Sequence, residues 1–262
     1  MQTLRAILRL TRIDSSLLGF LAIFLPLLVR TNDLALSLGR AIPLLFICVC
    51  TFIANDLDDV DRDRVNHPER PLPARHLTPT VAVILYFTSL AAALFSTRHY
   101  VAPNIAFLYY ALIALSISYG YIVDHLPGLK TSYVAAVTSV PVLIVATSYP
   151  REARLYVVAI SVFFLTIGRE ICMDIKDRPG DADSFMHRFK PTPLAVAAFS
   201  MQIVGLLLLV IQARKKLGDV VDLLAMTFLL ALSGVYWFKF ASYKRAIILM
   251  KLPLFIGLYF LT

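Results

Sequence analysis

The chain of 262 residues carries 25 Lys and Arg against 17 Asp and Glu, and 59% of its residues are hydrophobic while 16% are charged. Soluble domains average about 45–50% apolar and about 25% charged residues, so this composition nearly excludes a water-soluble enzyme and also excludes a disordered chain. The three cysteines lie in or beside apolar runs, which indicates neither a disulfide framework nor a zinc site. We therefore expect an integral membrane protein that does not bind nucleic acid, with its net charge of +8 arising from loops.

Nine apolar segments can cross a bilayer as helices when their polar flanks are included, because about 20 residues span the hydrocarbon core. In chain order the predicted spans are Ser16–Val29, Ile42–Ala54, Thr80–Ser96, Pro103–Tyr119, Tyr133–Thr147, Leu155–Gly168, Leu194–Ile211, Val220–Trp237 and Ile247–Leu261. Arg5, Arg9 and Arg12 lead into the first span without a small-residue cleavage site, so we expect no cleavable signal peptide.

The distribution of basic residues predicts the orientation of the chain. With nine spans, the N-terminus lies on the same side as the even-numbered loops. Sixteen Lys and Arg fall on that side and eight on the other. The positive-inside rule then places the N-terminus and the even-numbered loops in the cytoplasm of a multi-pass membrane protein.

Eleven of the 17 acids fall in two short windows, residues 56–69 and 170–183, each of which follows an apolar span on the predicted cytoplasmic side. Each window holds three aspartates at a three–four spacing: Asp56, Asp59 and Asp63 in the first, and Asp174, Asp177 and Asp181 in the second. On a helix this spacing places three carboxylates along one face. A single acidic window is typical of a solvated loop, but two matched windows mixed with arginines favour an ion or substrate site.

The two triplets are 118 residues apart, and the same offset carries Arg70 to Arg188 and Pro73 to Pro191. It also carries the first four spans approximately onto the fifth to eighth. We therefore predict an all-α membrane fold of nine helices: two four-helix pseudo-repeats, about residues 1–120 and 121–240, plus one helix. Residues 1–262 form a single transmembrane domain in this interpretation.

Two facing rows of carboxylates suit Mg²⁺, a hard ion that binds carboxylates, water and the phosphate oxygens of a substrate. Basic side chains near the windows could neutralise the remaining phosphate charge; they are Arg62, Arg70, Lys130, Arg169 and Lys176. A diphosphate held at the mouth of an apolar bundle implies a lipid-like tail, as in an isoprenyl diphosphate. Its departure leaves an allylic carbocation, which aromatic faces could stabilise. The candidates are Tyr109, Tyr110, Tyr119, Tyr121 and Tyr133, although interface tyrosines are common in membrane proteins.

Both acidic windows match longer sequence patterns. Residues 55–63 read N-D-L-D-D-V-D-R-D, which fits N-D-x-x-D-x-x-x-D, and residues 66–73 continue close to N-x-P-x-R-P-L-P. Residues 169–181 are similar to R-E-x-x-x-D-I-x-D-x-x-G-D, a form found near archaeal digeranylgeranylglyceryl phosphate synthases. Over nearly its whole length the chain resembles the UbiA-type intramembrane prenyltransferases.

The resemblance implies nine helices around a central cavity open to the membrane, with Mg²⁺ as cofactor and an isoprenyl diphosphate as donor. The metal ligands it implies are Asn55, Asp56, Asp59, Asp63, Asp174, Asp177 and Asp181. The diphosphate contacts expected are Asn55, Arg62, Arg70, Lys130, Arg169 and Lys176. Catalysis is expected to rest on Asp59, Asp63, Asp177, Asp181 and Lys130.

The segments that shape the acceptor side in this family differ here. Arg12-Ile13-Asp14-Ser15 stands where the family often has R-P-x-N, and the chain after the second window also departs from the common pattern. The leading prediction is a prenyltransferase acting on an aromatic, quinone-precursor or lipid acceptor. The alternative is a UbiA-type terpene cyclase, in which the substrate's own double bond traps the cation. A transporter ranks lower because it predicts acids within the spans, whereas these acids flank them.

Overall fold

The structure, a computed structural model, describes residues 2–126, 129–178, 188–212 and 217–256, and these residues contain helices but no strand. The helices in this part of the chain are α1 (Gln2–Leu10), α2 (Ile13–Thr31), α3 (Leu34–Asp58), α4 (Val60–Asn66), α5 (Pro79–Tyr100), α6 (Pro103–His125), α7 (Lys130–Ser148), α8 (Ala153–Lys176), α9 (Pro191–Gln212), α10 (Leu217–Phe238) and α11 (Tyr243–Ile256). The predicted all-α class is confirmed.

Eight of the described helices, α2, α3 and α5–α10, are long and apolar enough to cross a membrane. They coincide with the first eight predicted spans, and the chain is a multi-pass integral membrane protein. The ninth predicted span, Ile247–Leu261, overlaps α11, which the structure describes over 14 residues. The remainder of that span lies outside the described residues.

Two helices extend well beyond the spans predicted for them. α3 continues to Asp58 instead of ending near Ala54, and α8 continues to Lys176 instead of ending near Gly168. Hydropathy ends a span at its first charged residues, but the backbone hydrogen bonds of a helix do not depend on side-chain charge. As a result, Asp56 and Asp174 lie in the last turn of long helices and not in loops.

The structure adds α1, an amphipathic helix that the apolar spans do not predict. Ala6 and Leu10, four residues apart on one face, are buried, whereas Arg5 and Arg9 are exposed. The buried face packs in a hydrophobic cluster of Ala6, Leu10, Ile53, Leu72, Leu77 and Ala82. This cluster fixes α1 against the end of α3 that carries the first acidic window.

The helices form two compact units, one containing α1–α6 and the other α7–α11. In the first unit α3 packs against α2, α5 and α6, and in the second α8 packs against α7, α9 and α11. Each unit is thus organised around the long helix that ends in its acidic window. The four-helix repeat stays a prediction, which gains support because α3 and α8 end 118 residues apart.

Gly168 allows α8 and α9 to pack closely, since a Cβ at this position would overlap the carbonyl oxygen of Ala198. We expect Gly168→Ala to destabilise the protein by about 1–3 kcal/mol, as overpacking does elsewhere. Gly234→Ala is the matched control, because its new methyl group would meet Phe199 at 3.7 Å, an ordinary contact. Thermal unfolding in detergent measures both, and equal unfolding temperatures would contradict this account of the α8–α9 contact.

Candidate active site

The first acidic window spans the junction of α3 and α4, at which Asp59 stands with φ −92° and ψ 7°. Hydrogen bonding of the helical type continues through this junction. The N–H of Asp59 donates to the carbonyl of Asn55 at 2.9 Å, and the N–H of Asp63 donates to the carbonyl of Asp59 at 2.8 Å. The helical spacing of Asp56, Asp59 and Asp63 predicted from the sequence is therefore preserved.

Two of these carboxylates are buried and held by arginines. Nη1 of Arg70 donates to both oxygens of Asp63, at 2.7 and 2.6 Å, and lies 3.6 Å from Oδ1 of Asp56. Asp56 also accepts a hydrogen bond from Nη2 of Arg12. The buried acids thus share two guanidinium groups.

Burial also affects the protonation equilibria of this cluster. It raises the pKa of Asp63, against the influence of Arg70, and the nearby charges of Asp56 and Asp59 add to the increase. Burial acts to lower the pKa of Arg70, but the attraction of Asp56 and Asp63 outweighs it and the net change is upward. Arg70 is therefore firmly held as a cation.

The loop after α4 explains how Arg70 reaches the acids. Leu72 and Leu77 are buried in the cluster that includes Leu10. The carbonyl of Arg70 accepts from the N–H of Ala74 at 2.9 Å, which closes a turn over the two prolines. The R-P-L-P run therefore acts as an apolar anchor that directs the Arg70 side chain toward Asp63.

The remaining oxygen donors of the first window are less tightly held. Asp59 is only partly buried, and Arg62, three residues later, donates to it at 2.9 Å. Oδ1 of Asn55, one helical turn before Asp59, is buried and has no hydrogen-bond partner among the described residues. A buried oxygen of this kind needs a donor or a cation to offset its desolvation.

The second acidic window has a similar local arrangement. Asp177 caps the C-terminus of α8. Its φ of −89° and ψ of 4° match those of Asp59, and its N–H donates to the carbonyl of Met173 at 2.9 Å. Asp174 is buried and accepts from Nζ of Lys130 at 2.9 Å and from the hydroxyl of Thr131 at 3.2 Å. Asp177 accepts from the neighbouring Lys176.

The other residues predicted in the second window have mixed outcomes. Arg169 donates to the buried Glu170, and its Nε has no hydrogen-bond partner in the part of the chain that the structure describes. Asp181 was predicted as a metal ligand and catalytic residue, and it lies outside the described residues. The structure therefore places two of the three aspartates of this triplet.

The donor chemistry of the windows fits Mg²⁺. Within the described ranges, no three His, Cys, Asp or Glu side chains are arranged to hold a metal ion, and the buried carboxylates of the windows pair with Arg and Lys. Mg²⁺ does not require three convergent protein ligands, since it is usually bound by one or two carboxylates together with waters and substrate phosphates. The amide oxygen of Asn55, which is unpaired within the described part of the chain, and the partly exposed carboxylate of Asp59 supply such a set.

The structure corrects one aromatic candidate. The hydroxyl of the fully buried Tyr109 donates to the carbonyl of Arg40 at 2.7 Å. Arg40 precedes Asp56 by sixteen residues on α3, which is about 24 Å along a helix. Tyr109 is therefore too distant from Asp56 to stabilise a carbocation formed there. Hydropathy alone did not show near which end of the membrane helices the side chain of Tyr109 lies.

Arg12 contacts the first acidic window, although the sequence patterns did not place it among the candidate metal ligands or diphosphate contacts. It contacts Asp56, and its guanidinium carbon lies 5.0 Å from the ring centroid of Phe52. A signal for it was present in the sequence, because the 118-residue offset that relates Asp56 to Asp174 also relates Arg12 to Lys130.

The family described as the UbiA prenyltransferase family matches residues 16–259. The chain belongs to this family. It is similar to the digeranylgeranylglyceryl phosphate synthase of Pyrococcus furiosus, with 35% identity over 130 residues that cover 49% of this chain and 46% of that one. It is also similar to the enzyme of the same name from Thermococcus gammatolerans, with 30% identity over 187 residues covering 68% and 65%. The chain thus matches about half to two thirds of the length of these relatives.

Solved structures of UbiA homologs share the fold. One from Aeropyrum pernix K1 superposes with a TM-score of 0.78 at 18% identity, covering 94% of this chain and 96% of that one. Another, from Archaeoglobus fulgidus and bound to DMAPP and Mg²⁺, superposes with a TM-score of 0.58 at 16% identity, covering 97% and 98%. These likenesses confirm the UbiA fold that the sequence patterns implied.

Proposed function

We propose that this protein is a Mg²⁺-dependent intramembrane prenyltransferase that moves an isoprenyl group from its diphosphate to a lipophilic acceptor. Membership of the UbiA prenyltransferase family supports the reaction class. The Archaeoglobus homolog bound to DMAPP and Mg²⁺ supports the donor and the ion. The names of the curated relatives favour a lipid acceptor over an aromatic or quinone-precursor acceptor.

The observation that carries the proposal is the pair of acidic helix ends. In each unit an aspartate, Asp59 or Asp177, caps the C-terminus of the long central helix, and basic side chains hold the acids around it. Such clusters of opposite charge beside membrane helices cost free energy, because each charge is partly removed from water. Their presence therefore favours a functional site. A divalent cation and a diphosphate are complementary to the acids and the bases respectively.

In the first unit, the oxygens of Asn55, Asp59 and Asp63 provide the ligands for Mg²⁺, and Arg62 and Arg70 bind diphosphate oxygens. The planar guanidinium of Arg70 can bind a phosphate with two parallel hydrogen bonds, as it can a carboxylate.

In the second unit, Asp177 and Asp181 provide the ligands for Mg²⁺. The diphosphate contacts there are Lys130, Arg169 and Lys176. Nε of Arg169, which has no hydrogen-bond partner among the residues that the structure describes, is one donor that a phosphate oxygen could satisfy.

The chemistry follows from these charges. Bound Mg²⁺ would neutralise negative charge that develops on the departing diphosphate. In its own unit, Arg70 or Lys130 would donate hydrogen bonds to diphosphate oxygens, and such bonds strengthen as the carbon–oxygen bond breaks. Both electrons of that bond leave with the diphosphate, the nucleophilic atom of the acceptor bonds to the prenyl C1 carbon, and the acceptor releases a proton.

The purified protein is expected to release inorganic diphosphate from geranyl, farnesyl or geranylgeranyl diphosphate when both Mg²⁺ and an acceptor are supplied. A chelator should abolish release, and omission of the acceptor should strongly reduce it. A cyclic hydrocarbon or alcohol formed without acceptor would contradict prenyl transfer and support a terpene cyclase, which the comparisons do not support. Absence of release with every donor and acceptor would contradict the proposed function itself.

A further inference from the structure

Two ion pairs occupy matching positions in the two units. Arg12 donates to Asp56, and Lys130 donates to Asp174 at 2.9 Å. In both pairs the basic residue precedes the acid by 44 residues in the sequence. The offset of 118 residues that relates the two aspartate triplets therefore relates both members of these pairs.

The surroundings of the two pairs also match. Arg12 directly precedes α2 and Lys130 begins α7, while both acids lie in the last turn of the long central helix of their unit. The side chains are 29% and 4% exposed for Arg12 and Asp56, and 26% and 5% exposed for Lys130 and Asp174. In each unit a buried acid thus holds a partly exposed cation at the start of a neighbouring helix.

Three further features restrict Arg12. Its backbone is in the left-handed region, with φ 41° and ψ 54°, which costs energy for a residue other than glycine. Its guanidinium lies over the ring of Phe52, one helical turn before Asp56. Two residues before it, Leu10 is fully buried and fixes the end of α1. The strained backbone conformation of Arg12 therefore places its guanidinium beside Asp56 in the acidic window.

The second acid of each triplet is bound differently. Asp59 and Asp177 are 27% and 16% exposed, and they accept hydrogen bonds from basic side chains nearby in the sequence, Arg62 and Lys176 respectively. Opening a partly exposed, local pair costs little. Separating Asp174 from Lys130 would leave a buried, uncompensated charge, and separating Asp56 from Arg12 would leave it only the more distant Arg70, so both changes are expensive. A cation would therefore bind Asp59 and Asp177 more readily than the first acids.

From this contrast, we infer that Asp56 and Asp174 are positioning residues rather than Mg²⁺ ligands. Each holds a basic side chain, Arg12 or Lys130, where it can bind a diphosphate oxygen, and the more exposed Asp59 and Asp177 bind the metal. This assignment rests on the proposed function and revises the sequence prediction, which placed all the triplet aspartates on the metal. It also gives Arg12 the role in the first unit that Lys130 has in the second.

Measuring metal binding in the absence of turnover distinguishes an aspartate that is a metal ligand from one that positions a basic side chain. Binding of Mn²⁺ to purified protein should stay within about twofold of the wild type in Asp56→Asn and Asp174→Asn, because neither acid is a ligand. It should weaken at least about tenfold in Asp59→Asn and Asp177→Asn, since each loses a charged ligand. Equal losses of Mn²⁺ affinity in the two sets would overturn the inference.

Arg12 variants test the other half of the inference. Arg12→Gln should raise the KM for the prenyl diphosphate donor at least about tenfold through loss of a charge-assisted hydrogen bond. Arg12→Lys should remain close to wild type, because lysine serves at the matching position of the second unit. If both variants were impaired equally, or if Arg12→Gln bound donor normally, the inference would be wrong.

Two measurements keep this test independent of the proposed function and of folding. Binding of inorganic diphosphate in the presence of Mn²⁺ requires no turnover, so it can assign Arg12 even if the wild type transfers no prenyl group. Should Asp56→Asn fail to fold, the comparison of Arg12→Lys with Arg12→Gln decides the assignment. Arg64→Gln is the matched control, because Arg64 and its partner Asp61 are both exposed and both readouts should stay at wild-type values.

Discussion

Asp59→Ala and Asp177→Ala are each expected to reduce kcat/KM for the prenyl diphosphate donor by at least about 10²-fold, the usual loss when a group that stabilises transition-state charge is removed. Each aspartate stands at the end of the central helix of its unit, and its carboxylate is accessible enough to exchange a local basic partner for a cation. Loss of either carboxylate removes a proposed ligand of Mg²⁺, the ion that would neutralise the charge of the departing diphosphate.

Steady-state turnover with saturating Mg²⁺ measures these losses, and a thermal unfolding curve for each variant shows whether the fold is retained. Asp61→Ala is the matched control, since Asp61 lies in the same window with an exposed side chain paired to Arg64. The control should keep wild-type turnover. If Asp59→Ala and Asp177→Ala also kept it, the assignment of both windows to the active site would be wrong.

Arg70→Met is expected to have the largest effect on stability, lowering the free energy of unfolding by about 3–5 kcal/mol. Nη1 of Arg70 contacts both oxygens of the buried Asp63 and approaches Asp56, so its removal leaves Asp63 buried without its cation and Asp56 with Arg12 alone. Reversible denaturation in mixed micelles, or the shift in unfolding temperature, measures the change.

Two further variants distinguish a buried ion pair from general damage to the loop. Arg64→Met removes an exposed ion pair with Asp61 and should change stability by no more than about 1 kcal/mol. Combining Arg70→Met with Asp63→Asn should recover much of the lost stability but no turnover, because the charge imbalance is relieved while the site is not rebuilt. A double variant as unstable as Arg70→Met would show that the pair does not account for the loss.

The elements that could be predicted from sequence are those with a strong local signal. Long apolar runs specified the first eight spans, because the membrane tolerates few alternatives to a helix of about 20 residues. The three–four spacing of Asp56, Asp59 and Asp63 correctly placed these acids on a nearly continuous helix, as the backbone hydrogen bonds through Asp59 show. The matching backbone at Asp177 follows from the same pattern.

The remaining features depend on contacts that local patterns do not report. The ends of α3 and α8 were placed too early, since hydropathy falls at Asp56 and Asp174 although the helices continue past them. α1 is held by tertiary packing of Ala6 and Leu10 and has no apolar span of its own. Arg12 was overlooked because its partner lies 44 residues away, and only a comparison of both units at a fixed offset could have identified it.

The fate of the prenyl chain tests the central claim most directly. Purified protein would be incubated with Mg²⁺, geranylgeranyl diphosphate carrying a label in its prenyl chain, and a panel of aromatic, quinone-precursor and lipid acceptors. The account predicts that the label moves to an acceptor, in amounts equal to the inorganic diphosphate released and only when Mg²⁺ is present. Label recovered in a cyclic hydrocarbon or alcohol without any acceptor, or left entirely in the donor, would contradict it.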